Sequence, residues 1–240
     1  MRKLDHVWTQ ACIDIDLVDV EPPTLERYDR VVGYIAQMLK DAGADIVEVG
    51  TPVCYALGYN GVKRIRRCVG DDIKVAADMK AQDGASFFFP CCAPFGADYC
   101  SVSVVNNPGG FHGAQLAKKE HGIKFIADLY AVPVDQLVST AVKCSAGGAD
   151  IVCLNLGHDD KAHNVYPGRR ESDYVKEIAQ AIDAPLFVVA NSPEEAERAI
   201  ADGADGIVFG EMIKDASIRS FKTVKAYIDL VHELDVKYNG

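Results

Sequence analysis

Short apolar runs alternate with longer amphipathic stretches along the whole chain. Four of the runs follow the same tripeptide: Gly-Ala-Asp stands at 43–45, 96–98, 148–150 and 203–205, ahead of "IVEVG", "YCSVSV", "IVCLNLG" and "GIVFGEM". The intervals are 53, 52 and 55 residues, and a fixed period of this size marks a repeated supersecondary unit. Each Gly suits the end of a helix, because it takes the left-handed conformation freely. Each apolar run has the length of a buried parallel strand. Four further runs lie between these: "TQACIDID" (9–16), "IKVAAD" (73–78), "IKFIAD" (123–128) and "PLFVVA" (185–190). The gaps hold helical patterns such as "YDRVVGYIAQMLKDAG" and "SPEEAERAIADG"; the second opens on Ser192, Pro193 and Glu195, a capping box. Eight strands alternating with helices predict one (β/α)8 barrel over residues 1–240, with an open doubly wound sheet as the runner-up.

Composition narrows the partners. The 240 residues are 49% hydrophobic and 25% charged, as in ordinary globular proteins, and the net charge is −10. That charge argues against nucleic acid or an anionic membrane as partner, and an anionic substrate would need local positive charge or a metal. Eight cysteines form no C-x-x-C pair, so they are expected to be reduced core residues of a cytoplasmic protein. "MRKLDHVWTQ" meets Asp5 and His6 before any apolar stretch, unlike a signal peptide, and no apolar run reaches membrane-spanning length.

In such barrels the chemistry sits at the C-terminal ends of the strands. Those ends carry Asp14 or Asp16, Glu48, Asp78 and Lys80, Asp128, Asn155 and His158, Asn191 and Glu211. Acidic groups inside apolar strands are costly unless paired or metal-bound, and here they recur at one end of the strands. Asp78 and Lys80, two apart, point to one face, with Asp83 following in the loop. A lysine flanked by carboxylates stays charged, which suits electrostatic stabilisation rather than Schiff-base chemistry. Glu48 and Asp78 offer hard oxygen ligands on adjacent strands, a set suited to Mg²⁺.

The D-x-K-x-x-D pattern of Asp78, Lys80 and Asp83, with "DIVEVGTP" (45–52), resembles the orotidine monophosphate decarboxylase suprafamily. Its Mg²⁺-dependent branch comprises 3-hexulose-6-phosphate synthase and 3-keto-L-gulonate-6-phosphate decarboxylase. The resemblance implies Mg²⁺ on Glu48 and Asp78, Lys80 stabilising an enediolate, and Asp14 orienting Lys80 or substrate hydroxyls. It also implies a homodimer in which Asp83 reaches the partner's site. "IADLYAV" (126–132) is similar to the synthase, with Asp128 where the decarboxylase carries Glu, and Ala190 is synthase-like too.

Three positions depart from that pattern. Leu154 stands where the family carries a strand-6 His; His158, four positions on, is either its substitute or a loop histidine. Asn191-Ser192-Pro193 replaces a Gly-Gly pair whose N–H groups cradle phosphate. Glu211 follows Gly210 where relatives favour Arg or a small residue, and a carboxylate ~5 Å from a phosphate costs about 3 kcal/mol at an effective dielectric near 20. Arg169 and Arg170 are either a displaced anion clamp or a solvated pair. The expected function is a lyase on a sugar or sugar phosphate: a synthase-like aldolase, or else a decarboxylase, possibly of a substrate without the usual phosphate. The competing expectation is a catalytically lapsed barrel that binds or scaffolds.

Overall fold

The strands that the period predicts close on one another rather than fanning into an open sheet. The computed structural model describes residues 3–163, 165 and 170–240. Its strands are β1 (Trp8–Ile13), β2 (Ile46–Val49), β3 (Lys74–Ala81), β4 (Tyr99–Ser103), β5 (Lys124–Asp128), β6 (Ile151–Leu154), β7 (Leu186–Val189) and β8 (Gly206–Phe209). All neighbours pair in parallel, and β8 pairs with β1 to complete a (β/α)8 barrel.

Helices α1 (Leu25–Ala42), α5 (Pro108–His121), α6 (Leu137–Ala146) and α9 (Pro193–Ala201) are crossovers after β1, β4, β5 and β7, and α10 (Ile218–Asn239) follows β8. After β2 the chain makes two helices, α2 (Thr51–Leu57) and α3 (Tyr59–Val69). The β3 crossover is the short α4 (Ala85–Cys92), and α7 (His158–Ala162) and α8 (Val175–Ala181) follow β6. No helix among the described residues is long and apolar enough to cross a membrane.

Gly-Ala-Asp does more than end helices. All four glycines take left-handed φ, from 86° to 104°. Each aspartate then bonds the start of the preceding odd strand: Asp45 accepts from Thr9 N, Asp98 from Val75 N, Asp150 from Phe125 N and Asp205 from Leu186 N, at 2.8–3.0 Å. The period is thus a repeated clamp at the N-terminal face of the barrel. It satisfies strand N–H groups that would otherwise be left without partners.

Side-chain alternation separates two cores. Outward residues such as Val47, Val75, Phe125 and Ile207 pack under the helices with Ile35 and Leu39. Inward residues Ile46, Ala76, Tyr99, Ile126, Ile151 and Phe187, with Trp8 against them, plug the barrel floor. One inward step further along four of those strands stand Glu48, Asp78, Ser101 and Asp128, all buried. The apolar plug therefore ends where a polar layer begins.

Candidate active site

A cavity of about 890 Å³ opens at the C-terminal end of the barrel above that polar layer. Its centre is Lys80. The ammonium bonds Asp78 and lies 3.7 Å from the Asp128 carboxylate. Asp78 is further held by Thr51 Oγ1 (2.6 Å) and Ser101 Oγ (2.8 Å), while Gln10 Nε2 donates to Glu48 at 2.9 Å.

Asp78 and Lys80 do share one face, but by a different route from simple alternation. Between the pairs Ala77–Cys100 and Ala81–Val102 the register of β3 slips against β4, and Lys80 takes φ 41°. A left-handed non-glycine residue costs roughly 1–3 kcal/mol and is kept only where surroundings over-determine it. Ser101 supplies that constraint: its hydroxyl accepts from Lys80 N at 2.8 Å and donates to Asp78.

Three carboxylates buried to within 6% exposure, Glu48, Asp78 and Asp128, face one lysine. Burial pushes Glu48 up to about 8, with Asp78 adding to it, and pushes Asp128 up to about 6 against the pull of Lys80. Burial raises Asp78 as well, but the Lys80 charge and three hydrogen bonds outweigh it and hold this carboxyl below its usual range. The same carboxylates overcome burial at Lys80 and keep its ammonium charged. Buried uncompensated charge costs several kcal/mol per ion, so the cluster must take up protons or a cation.

A divalent metal fits that deficit. Glu48 and Asp78 are hard oxygen donors, and Gln10 Oε1, beside Glu48, is a buried oxygen without a hydrogen-bond partner. Cys12 and Cys153 also line the cavity, but burial and neighbouring carboxylates raise both thiols far up, so neither supplies a thiolate.

At the rim, Asp14 is solvent-exposed yet raised, by the enclosing mouth first and Asp78 next, with Lys80 and His158 pulling the other way. His158 begins α7 and lines the cavity, as do Asn155, Asn191 and Glu211. Asp83 lies outside the lining and accepts from Gly84 N. Arg170 is exposed and also outside the lining; Arg169 lies outside the described residues.

Where a phosphate cradle would lie, the chain satisfies its own N–H groups. Asn191 Oδ1 accepts from Gly210 N and Glu211 N at 3.0 and 3.1 Å. Ser192 caps α9 as expected, accepting from Glu195 N, but Glu195 does not complete the capping box. Its carboxylate reaches one residue further back, to Asn191 N at 3.1 Å.

Gln10, Thr51, Ser101 and Lys161 line the same cavity without having been expected there. Gln10 and Ser101 were signalled by period-2 spacing from Cys12 and Tyr99; Thr51 and Lys161 sit in loop and short-helix contexts without such a mark. Among the described lining residues, seven carboxylates (Asp14, Asp16, Glu48, Asp78, Asp128, Asp159, Glu211) face two lysines, Lys80 and Lys161. Lys161 is itself paired with buried Glu171 at 2.9 Å.

No family model matches the chain. It is 28% identical over 184 residues to 3-hexulose-6-phosphate synthase 2 of Staphylococcus saprophyticus, covering 76% of this chain and 83% of that protein. It is 26% identical over 219 residues to synthase 1 of the same organism, covering 90% and 96%. Among solved structures, the 3-hexulose-6-phosphate synthase of Salmonella typhimurium superposes with a TM-score of 0.72 at 22% identity, over 97% of this chain and 100% of that one. The 3-keto-L-gulonate-6-phosphate decarboxylase of Vibrio cholerae gives 0.73 at 16%, over 95% and 99%. An orotidine 5'-monophosphate decarboxylase of Methanocaldococcus jannaschii gives 0.71 at 16%, over 94% and 99%. At these identities the structural likenesses carry the fold.

Proposed function

We propose that this chain, a member of the synthase–decarboxylase branch of the orotidine monophosphate decarboxylase suprafamily, is a carbon–carbon lyase of the 3-hexulose-6-phosphate synthase type that works through an enediolate. The observation that carries this reading is the buried set of Glu48, Asp78 and Asp128 around one lysine at the barrel mouth.

Mg²⁺ held by Glu48 and Asp78 would polarise vicinal oxygens of a bound ketose. The rest falls to the chain's own residues. Lys80, fixed by Asp78 and Asp128, offsets the negative charge that develops as the carbon next to the carbonyl loses its proton. Asp128 accepts from substrate hydroxyls in its ionised form. His158, within electrostatic reach of Asp14, is the group suited to carry the proton at the rim. The enediolate carbon then attacks an aldehyde carbon, a C–C bond forms, and the resulting alkoxide takes up a proton. Run backwards, the same steps cleave the aldol.

A second reading follows from the self-filled cradle. With Asn191 and Glu195 occupying the N–H groups and Glu211 beside them, a substrate without a phosphate at that end fits better. Loss of CO₂ from a 3-keto sugar acid gives the same enediolate and uses the same Lys80. Homodimerisation with shared sites is part of the proposal. Tyr55, Phe87 and Phe88 are exposed on α2 and α4, the helices that follow β2 and β3, and a second copy would cover them.

A Mg²⁺-dependent assay over ketose phosphates, free ketoses and keto acids tests both readings. Formaldehyde turnover supports the synthase reading and CO₂ the decarboxylase. No turnover and no solvent-proton exchange with any compound, with or without metal, rejects both.

A further inference from the structure

The four Gly-Ala-Asp clamps at the N-terminal face are not equivalent. Asp205 pairs with Lys3 at 3.4 Å, Asp98 with Arg66, and Asp150 with Lys118 at 2.8 Å. Asp45 instead faces two histidines: His6 Nε2 lies 2.9 Å from Oδ1 and His232 Nε2 lies 3.7 Å from Oδ2. The histidine rings are 5.7 Å apart, edge to face.

That arrangement leaves a polar group unsatisfied. His232 Nε2 is enclosed and has no hydrogen-bond partner, because 3.7 Å to Asp45 is too long for one. A bound cation would give that nitrogen a partner. The three ligand atoms lie within 4.8 Å of one another. With bonds of about 2.0–2.1 Å, tetrahedral ligand atoms stand about 3.4 Å apart, a spacing the part-buried group reaches with small adjustments.

The surroundings are those of a metal-binding histidine. His6 Nδ1 lies 3.1 Å from Asp5 Oδ1, and Asp5 is itself positioned by Trp8 Nε1 at 3.0 Å. A carboxylate on the far nitrogen orients a ligating imidazole and makes it more basic. Asp45 Oδ2 is fixed by Thr9 N and Oγ1, both at 2.8 Å, so the carboxylate is pre-organised. All three ligand residues are part-buried.

We propose that His6, Asp45 and His232 bind a Zn²⁺-class divalent ion at the N-terminal face of the barrel, remote from the catalytic mouth. Two imidazoles and one carboxylate suit a late first-row ion rather than Mg²⁺ or Ca²⁺. The ion ties the lead-in to β1 and the start of β2 to α10, joining the two ends of the barrel. Its role is structural, consistent with its position at the face opposite the chemistry.

The test uses untagged, EDTA-treated protein and Zn²⁺ as the probe. Calorimetric titration should give one ion per chain more in the parent protein than in His6→Ala or His232→Ala, the mouth's own metal site being common to all three. At a free Zn²⁺ a hundredfold above the measured Kd, the Tm should rise by roughly 5–10 °C. His6→Ala and His232→Ala should each lose this ion and its share of the rise. His232→Lys, which offers Asp45 a cation as at the other three clamps, should keep the metal-free Tm while losing this ion. Glu48→Gln, which alters only the mouth, should retain it. No binding by the parent protein, or the same stoichiometry and stabilisation in the histidine variants as in the parent, would overturn the proposal.

Discussion

The side-chain oxygen of Asn191 accepts from the backbone N–H groups of Gly210 and Glu211, at 3.0 and 3.1 Å, and so joins the end of β7 to the loop after β8. Two donors that would otherwise face an anionic ligand are thereby committed within the chain. Glu211, exposed at the same rim, adds like charge.

Glu211→Gln should therefore lower KM for a phosphorylated ketose by ten- to a hundredfold, the effect of about 3 kcal/mol of repulsion at ~5 Å. KM for the matching unphosphorylated ketose should change less than twofold. Measuring both constants on one variant separates charge repulsion from general disturbance. Equal changes for the two sugars would mean that no phosphate approaches this rim.

Ser101 bridges Lys80 N and the Asp78 carboxylate, so it controls both the β3 irregularity and the cation's position. Ser101→Ala removes both bonds and should cost roughly 1–3 kcal/mol of stability. It should also lower kcat at least about tenfold with KM nearly unchanged, because binding groups stay in place while Lys80 loses its constraint. Urea unfolding and steady-state kinetics check the two parts.

The Asp128 carboxyl, raised by burial to about 6 from an ordinary 3.8, makes stability depend on pH. A raised carboxyl favours the protonated folded state. Its contribution is fully present below the unfolded value and is lost as pH rises through about 6. Two units correspond to about 3 kcal/mol. In metal-free protein, the urea midpoint should fall from pH 4 to pH 7, and Asp128→Asn should flatten that slope. Parallel slopes would remove this assignment.

The barrel was legible because its period is physical. Gly-Ala-Asp recurs since each copy ends a helix and clamps a strand, although the strand N–H that each aspartate takes lies too far along the chain for local pattern to show. Glu48, Asp78, Lys80 and Asp128 were legible because charge inside an apolar run is costly without a purpose. Gln10 and Ser101 share the inward spacing but stand out less, since a neutral polar residue in a strand is cheap when it finds one partner. The slip in β3 carries no Gly or Pro to announce it; it depends on Ser101 from the neighbouring strand. The clamp histidines were hidden for another reason: His6 and His232 come from opposite ends of the chain and meet only when the barrel closes.

Removing the central cation should be costly in two ways. Lys80→Ala leaves Asp78 and Asp128 buried without it, which should destabilise metal-free protein by roughly 3–5 kcal/mol. Divalent metal should recover part of that loss, because Glu48 and Asp78 remain to receive it. Chemical denaturation of parent and variant with EDTA or Mg²⁺ gives both figures.

Enediolate formation by the Lys80 cluster is tested most directly by solvent-deuterium exchange into the carbon next to the ketose carbonyl, followed by proton NMR with Mg²⁺ present. The parent protein should exchange that position in a ketose or ketose phosphate without any aldehyde added, and Lys80→Ala should slow exchange about a thousandfold. Exchange at an unchanged rate in Lys80→Ala, or its absence from the parent protein with every ketose and keto acid tried, would contradict the account.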